Sequence, residues 1–204
     1  MKKLFLGAAI AVSSLTFAQQ FGIKGGLNVS SISDEGFEDA NSKAGFYAGV
    51  FMNAPIAENF SIQPEVIYNN LGAKNTYDAG SLGNAETKLN LDYISVPVMF
   101  QYNATPSFYL EAGPEFGFLV NASSETTYDT PVGGGSSTTE LDTDDFNGFN
   151  FGLGIGAGFN FTQNFGLNAR YVAGFSDVTA EGSDPSADAN NKNNVFQVGL
   201  TYKF

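Results

Sequence analysis

One segment constrains the fold more than any other: Phe149-Asn150-Phe151-Gly152-Leu153-Gly154-Ile155-Gly156-Ala157-Gly158-Phe159-Asn160-Phe161. Every odd position is apolar, and every even position is Gly or Asn. A helix would scatter these residues around its axis, and each interior glycine would cost it about 1 kcal/mol relative to alanine. In a strand the same residues resolve into one apolar face and one nearly bare face. The segment is a strand.

The same period of two recurs along the chain. Phe196, Val198, Leu200, Tyr202 and Phe204 alternate with Gln197, Gly199, Thr201 and Lys203, and Phe165, Leu167, Ala169, Tyr171 and Ala173 with Gly166, Asn168, Arg170 and Val172. Phe108 to Phe118, Ile62 to Tyr68 and Phe21 to Asn28 behave likewise. Segment 43–54 is ambiguous in phase, because both of its faces are apolar or small. In 88–102 the apolar phase slips from Leu89, Leu91 and Tyr93 to Ile94, Val96, Val98 and Phe100, which predicts a β-bulge near Tyr93. Pro64 and Pro114 suggest edge or bulge positions.

This reading predicts eight strands. Their connections alternate between short (Pro55–Glu58, Asn103–Pro106, Thr162–Asn164) and long (31–42, 71–87, 122–147, 176–193). Such sorting is the mark of an eight-stranded antiparallel up-and-down transmembrane β-barrel in an all-β chain. Composition agrees on which face meets lipid. A soluble barrel would carry a surface dense in Lys and Glu, yet only 15% of residues are charged. The apolar face therefore points outward and the Gly, Asn and Gln face inward. Charges in that inner phase need partners, since a lone buried charge costs several kcal/mol. Lys24, Glu65, Glu111, Glu115, Arg170 and Lys203 are three acids and three bases, and they predict a structural ion-pair network in the lumen.

Chemistry is narrowed by what is missing. The chain has no Cys and no His, which removes disulfides, thiolate or imidazole metal sites and every nucleophile–His mechanism. Glu111 and Glu115 read as packing residues, because a glycosidase pair would want a sugar cleft or Trp platforms, and the chain has no Trp. The alternating glycines do not form a dinucleotide fingerprint, and Asp142-Thr143-Asp144-Asp145 breaks the calcium-loop pattern. No catalytic residue, cofactor or metal site is expected. A formal charge of −12 makes a nucleic-acid partner unsuitable.

The start of the chain, Met1-Lys2-Lys3, an apolar run from Leu4 to Val12, and Thr16-Phe17-Ala18, has the layout of a signal peptide over residues 1–18. The barrel domain is expected over 19–204. Removing 1–18 takes away two lysines. Most acids fall in the long connections, among them Asp34, Glu38, Asp78, Glu86, Asp129, Glu140, Asp144 and Asp184. The negative charge thus belongs to one rim.

Phe21-Gly22-Ile23-Lys24-Gly25-Gly26-Leu27-Asn28, Ser61-Ile62-Gln63-Pro64-Glu65, Tyr93-Ile94-Ser95-Val96-Pro97, Leu110-Glu111-Ala112-Gly113-Pro114 and the terminal Phe204 together carry a resemblance. They are similar to the outer-membrane β-barrel domain family of Bacteroidetes, often labelled porin-family or PorT-like, with the architecture of the OmpA transmembrane domain and OmpX. The resemblance implies an outer-membrane barrel, and Phe204 looks like its recognition signal for the barrel assembly machinery. It implies no activity.

The function expected is non-enzymatic, structural or surface-interacting, through long acidic extracellular loops. The alternatives are a narrow porin-like ion or small-solute channel and an accessory barrel of a secretion system. The expected partners are outer-membrane lipid, the assembly machinery and an extracellular ligand or protein at the loops, with a monomeric barrel.

Overall fold

The computed structural model describes residues 19–33, 42–78, 80, 83–131, 133–178 and 191–204. The expected signal peptide, and the parts of two long connections at 34–41 and 179–190, lie outside them. Among the described residues, nine strands form one antiparallel sheet: β1 (Gln20–Ser33), β2 (Lys43–Ala57), β3 (Phe60–Asp78), β4 (Asn84–Asn103), β5 (Phe108–Thr130), β6 (Gly133–Glu140), β7 (Phe149–Asn160), β8 (Phe165–Asp177) and β9 (Lys192–Lys203). Pairing runs β4-β3-β2-β1-β9-β8-β7-β5, and a β4–β5 ladder closes these eight strands into a ring. β6 pairs with the upper part of β5 and stands outside the ring.

The ring is staggered. One row of paired residues runs Lys203–Gly22–Phe51–Glu65 across β9, β1, β2 and β3. It continues as Pro97–Glu115–Gly152–Gly174 across β4, β5, β7 and β8. The row reaches β9 again beside Asn193, well along that strand from Lys203. A barrel can close only with such a shear, which tilts every strand against the barrel axis.

Alternation decides the two faces as the sequence implies. Outside are Phe21, Ile23, Leu27, Val50, Leu153, Ile155, Val198 and Leu200, with Leu27 72% exposed. Inside, Lys24, Asn28, Gln63, Glu65, Gln101, Glu111, Asn168, Arg170 and Gln197 are buried. Aromatic pairs mark both ends of the outer wall. Phe60–Tyr102 and Phe165–Tyr202 lie at the short-turn end, and Phe46–Tyr68 and Phe118–Phe149 lie towards the other. These are the interfacial belts of a membrane barrel.

Two expectations are corrected, one is met and one open phase is settled. Segments 71–87 and 122–147 are mostly strand: β3, β4, β5 and β6 continue past the ring as a four-stranded flap. One face of that flap carries Ala, Asn, Thr, Ser and Tyr and the other carries Thr and the charges, so neither is a continuous apolar face and the flap shows no apolar alternation. The bulge expected near Tyr93 is present, with Val120 of β5 as its extra residue, since Asp92 pairs with Asn121 and Tyr93 with Leu119. β4 itself keeps its phase, with Leu91, Tyr93, Ser95 and Met99 all facing inward and buried. The apparent slip is a change in what the lumen wants, polar below and apolar above.

The phase of segment 43–54, open in the sequence, is settled by the structure, with Tyr47, Phe51 and Asn53 inside. The two rings fit because glycine stands opposite them. A methyl group on Gly22 would overlap the Phe51 ring, and one on Gly199 would overlap the Tyr47 hydroxyl. Lastly, Pro64 and Pro114 are neither at an edge nor at a bulge. With Pro97 they occupy three adjacent ring strands, where the ladders skip from Pro64↔Val98 to Ile67↔Ser95 and from Pro97↔Glu115 to Phe100↔Ala112. Proline has no N–H to give to a ladder.

Candidate functional site

The lumen is filled in layers. Near the short turns, Asn53 Nδ2 donates to Gln101 Oε1 at 2.7 Å and to Gln63 Oε1 at 3.2 Å. Gln63 Nε2 then donates to Glu65 Oε1 at 2.8 Å, and Gln101 Nε2 to Glu111 Oε2 at 3.0 Å. This amide layer satisfies the outer oxygens of the acids above it, as a buried network must.

The charged layer comes next. Arg170 Nη2 and Nη1 donate to Glu65 Oε1 and Oε2 at 2.7 and 3.0 Å, and Arg170 Nε donates to Glu111 Oε1 at 2.8 Å. Lys24 Nζ donates to both Glu65 oxygens at 3.0 and 3.2 Å. Every one of these side chains is sealed from solvent. The fork of the guanidinium matches the carboxylate plane, which makes this the strong form of ion pair. Gly154 and Gly156 on β7 make room for it, since methyl groups there would press on the Arg170 stem and on Glu111.

Of the six charged residues named from sequence, Lys24, Glu65, Glu111 and Arg170 therefore meet in one cluster. Glu115 and Lys203 stand apart from it. Lys203 pairs with Gly22 at the foot of the ring, and no acid lies within ion-pair distance of it among the described residues. Glu115 lies further up the row, where Asn69 Nδ2 reaches its Oε1 at 3.5 Å. Periodicity identified the inward charges but could not say which cross-lumen partners the stagger brings together. It also missed the amides Asn53, Gln63 and Gln101, which carry no charge to draw attention.

Above Glu115, Leu71, Leu91, Tyr93, Ala122, Val172, Val178 and Val195 form a buried apolar cluster, with Leu89, Leu119, Leu141 and Phe146 packed against it. It caps the lumen on the flap side. Over this cap an open cleft of about 340 Å³ is lined by Ile32, Leu89, Phe146 and Val178, with Lys74, Asn75 and Thr87 on its polar wall. The flap above has uneven faces. Ala73, Asn75, Tyr77, Ala85, Thr87, Ser124, Thr126 and Tyr128 share one face without a charge, while Lys74, Glu86, Lys88 and Glu125 share the other. On the charged face, Glu86 sits 3.0 Å from Lys88 Nζ and 3.8 Å from Lys74 Nζ, and the Lys88 hydrogen bond lowers its pKa. Asp142 caps a short 3-10 turn by accepting from the Asp144 N–H.

A closed antiparallel ring with a polar, packed interior and an apolar exterior banded by aromatics defines an outer-membrane β-barrel. The chain belongs to the outer membrane protein β-barrel domain family, whose model matches residues 17–180. Among solved structures, Neisserial surface protein A is similar at 16% identity and a TM-score of 0.51, covering 92% of this chain and 100% of that one. Ail, the attachment invasion locus protein of Yersinia pestis, is similar at 15% identity, with a TM-score of 0.47 and coverage of 92% and 100%. OprG from Pseudomonas aeruginosa shares 15% identity, with a TM-score of 0.41 and coverage of 92% and 96%. Likeness at these identities speaks to architecture alone. A search of curated proteins finds no match.

Proposed function

We propose that this outer-membrane barrel is a non-enzymatic surface protein that works through its extracellular flap and acidic rim, and not as a solute channel. The observation that carries the reading is the filling of the lumen: an amide layer, a four-member ion cluster and an apolar cap block one path in succession. An eight-stranded ring has an interior just wide enough for side chains. The sequence holds no His or Cys, so neither an imidazole base nor a thiolate nucleophile is available for enzyme chemistry. The flap offers what a recognition surface needs, a rigid sheet with exposed Tyr77 and Tyr128 beside an apolar cleft. Expected partners are the surrounding lipid, the barrel assembly machinery and an extracellular ligand at the flap, with the barrel a monomer. Phe204 is proposed as the assembly signal: Phe204→Ala should lower the yield in the outer membrane while leaving refolding in detergent intact.

Osmotic swelling of proteoliposomes tests the channel side of this reading. Vesicles carrying the full chain should swell in small sugars no faster than empty vesicles. Rapid, sugar-size-dependent swelling would overturn it.

A further inference from the structure

The ion cluster uses up its own charges and leaves one acid over. Lys24 and Arg170 balance Glu65 and Glu111, and Arg170 has committed Nε and both terminal nitrogens to those two acids. Glu115 faces the same lumen one level higher and is only 7% exposed. Asn69 reaches its Oε1 only at 3.5 Å, Ser95 is its other hydrogen-bonding neighbour, and its Oε2 has no partner among the described residues. Lys203 is no remedy, since it lies at the foot of the row on which Glu115 is more than halfway up. An uncompensated carboxylate in such a place costs several kcal/mol.

The surroundings of Glu115 are oxygen-rich and unfinished. Asn69 links it to Ser95 Oγ at 3.1 Å and accepts from Gln197 Nε2 at 3.0 Å. Gln197 Oε1 is buried without a donor, and so is Asn28 Oδ1 on the residue that pairs with Gln197 across β1 and β9. We propose that this level of the lumen binds one monovalent alkali-metal cation, held by the Glu115 carboxylate together with amide oxygens and water. Hard oxygen donors without nitrogen or sulfur suit such an ion. A single positive charge balances Glu115 at its own level, and a divalent ion would leave that level positive. The site lies beneath the apolar cap, so the ion enters during folding and stays. The inference is independent of what the flap binds.

The test refolds the full chain from urea into detergent micelles in NaCl, KCl or N-methylglucamine chloride at equal ionic strength and pH 7. Folding is read by gel mobility. The urea midpoint is expected to rise saturably with Na⁺ or K⁺ and not with N-methylglucamine. A hundredfold increase in cation from half-saturation raises the folded-to-unfolded ratio about 50-fold. Glu115→Gln, which keeps the shape and removes the charge, should respond identically to all three salts. Equal wild-type midpoints in all three salts would overturn the site and leave Glu115 carrying a proton instead. An unchanged cation response in Glu115→Gln would overturn it too, placing the effect at the acidic rim. Should that variant fail to fold, crystals of the wild type refolded in RbCl decide: an anomalous peak beside Glu115 supports the site, and its absence overturns it.

Discussion

Arg170 on β8 holds Glu65 on β3 through two parallel hydrogen bonds of 2.7 and 3.0 Å, joining strands on opposite sides of the ring. No ladder links these strands, so the pair ties the barrel across its diameter. Glu111 on β5 accepts a third bond from the same guanidinium, which fixes the ring at three points.

Arg170→Ala strands Glu65 and Glu111 in the lumen. Removing one member of a buried pair costs about 3–5 kcal/mol, mostly the cost of leaving a charge unpaired. Arg170→Lys keeps the charge but loses the fork, and should fall between wild type and Ala. Urea midpoints of the refolded proteins measure both.

Gly158 faces the Tyr109 ring so closely that a methyl group would overlap it. Gly158→Ala should therefore destabilise by about 1–3 kcal/mol, the usual cost of overpacking. Tyr109→Leu frees that space, so the double variant should lose less than the two single losses together. A double-mutant cycle on the urea midpoint reads the coupling.

Ile155, 57% exposed at the middle of β7, faces hydrocarbon. Ile155→Arg should cost about 2–4 kcal/mol when the protein folds into bilayers. Thr138→Arg on the exposed β6 strand should change stability by no more than about 0.5 kcal/mol. Folding titrations into lipid vesicles compare the two. Similar costs would contradict the assignment of the wall.

Leu91 is fully buried in the apolar cap. Leu91→Ala should cost about 2–5 kcal/mol, as cavity-forming changes do. It should not open a path, because the Arg170 cluster lies intact beneath it. Conductance recorded on this variant checks the second point.

The wall was legible from the sequence because lipid imposes the same demand at every level: apolar residues on alternate positions, as in Leu153, Ile155 and Phe159. The lumen imposes no such uniform demand. Its requirements change from amide to ion pair to apolar cap, so Leu89, Leu91 and Tyr93 read as a slipped strand although β4 never slips. Tyr47 and Phe51 were obscure for a related reason. Their right to face inward depends on Gly199 and Gly22 on neighbouring strands, a relation that no local period records. Glu115 and Glu111 look equivalent along β5, but only Glu111 lies at the level that the stagger brings to Arg170. The flap was hidden because strands exposed to water on both faces need no apolar alternation.

The central claim is that side chains close the lumen, and ion conductance tests it most directly. Purified full-length protein in planar lipid bilayers should show no steady channel in 1 M KCl, and Arg170→Ala should show at most brief, small openings. A stable wild-type conductance with defined ion selectivity would contradict the account.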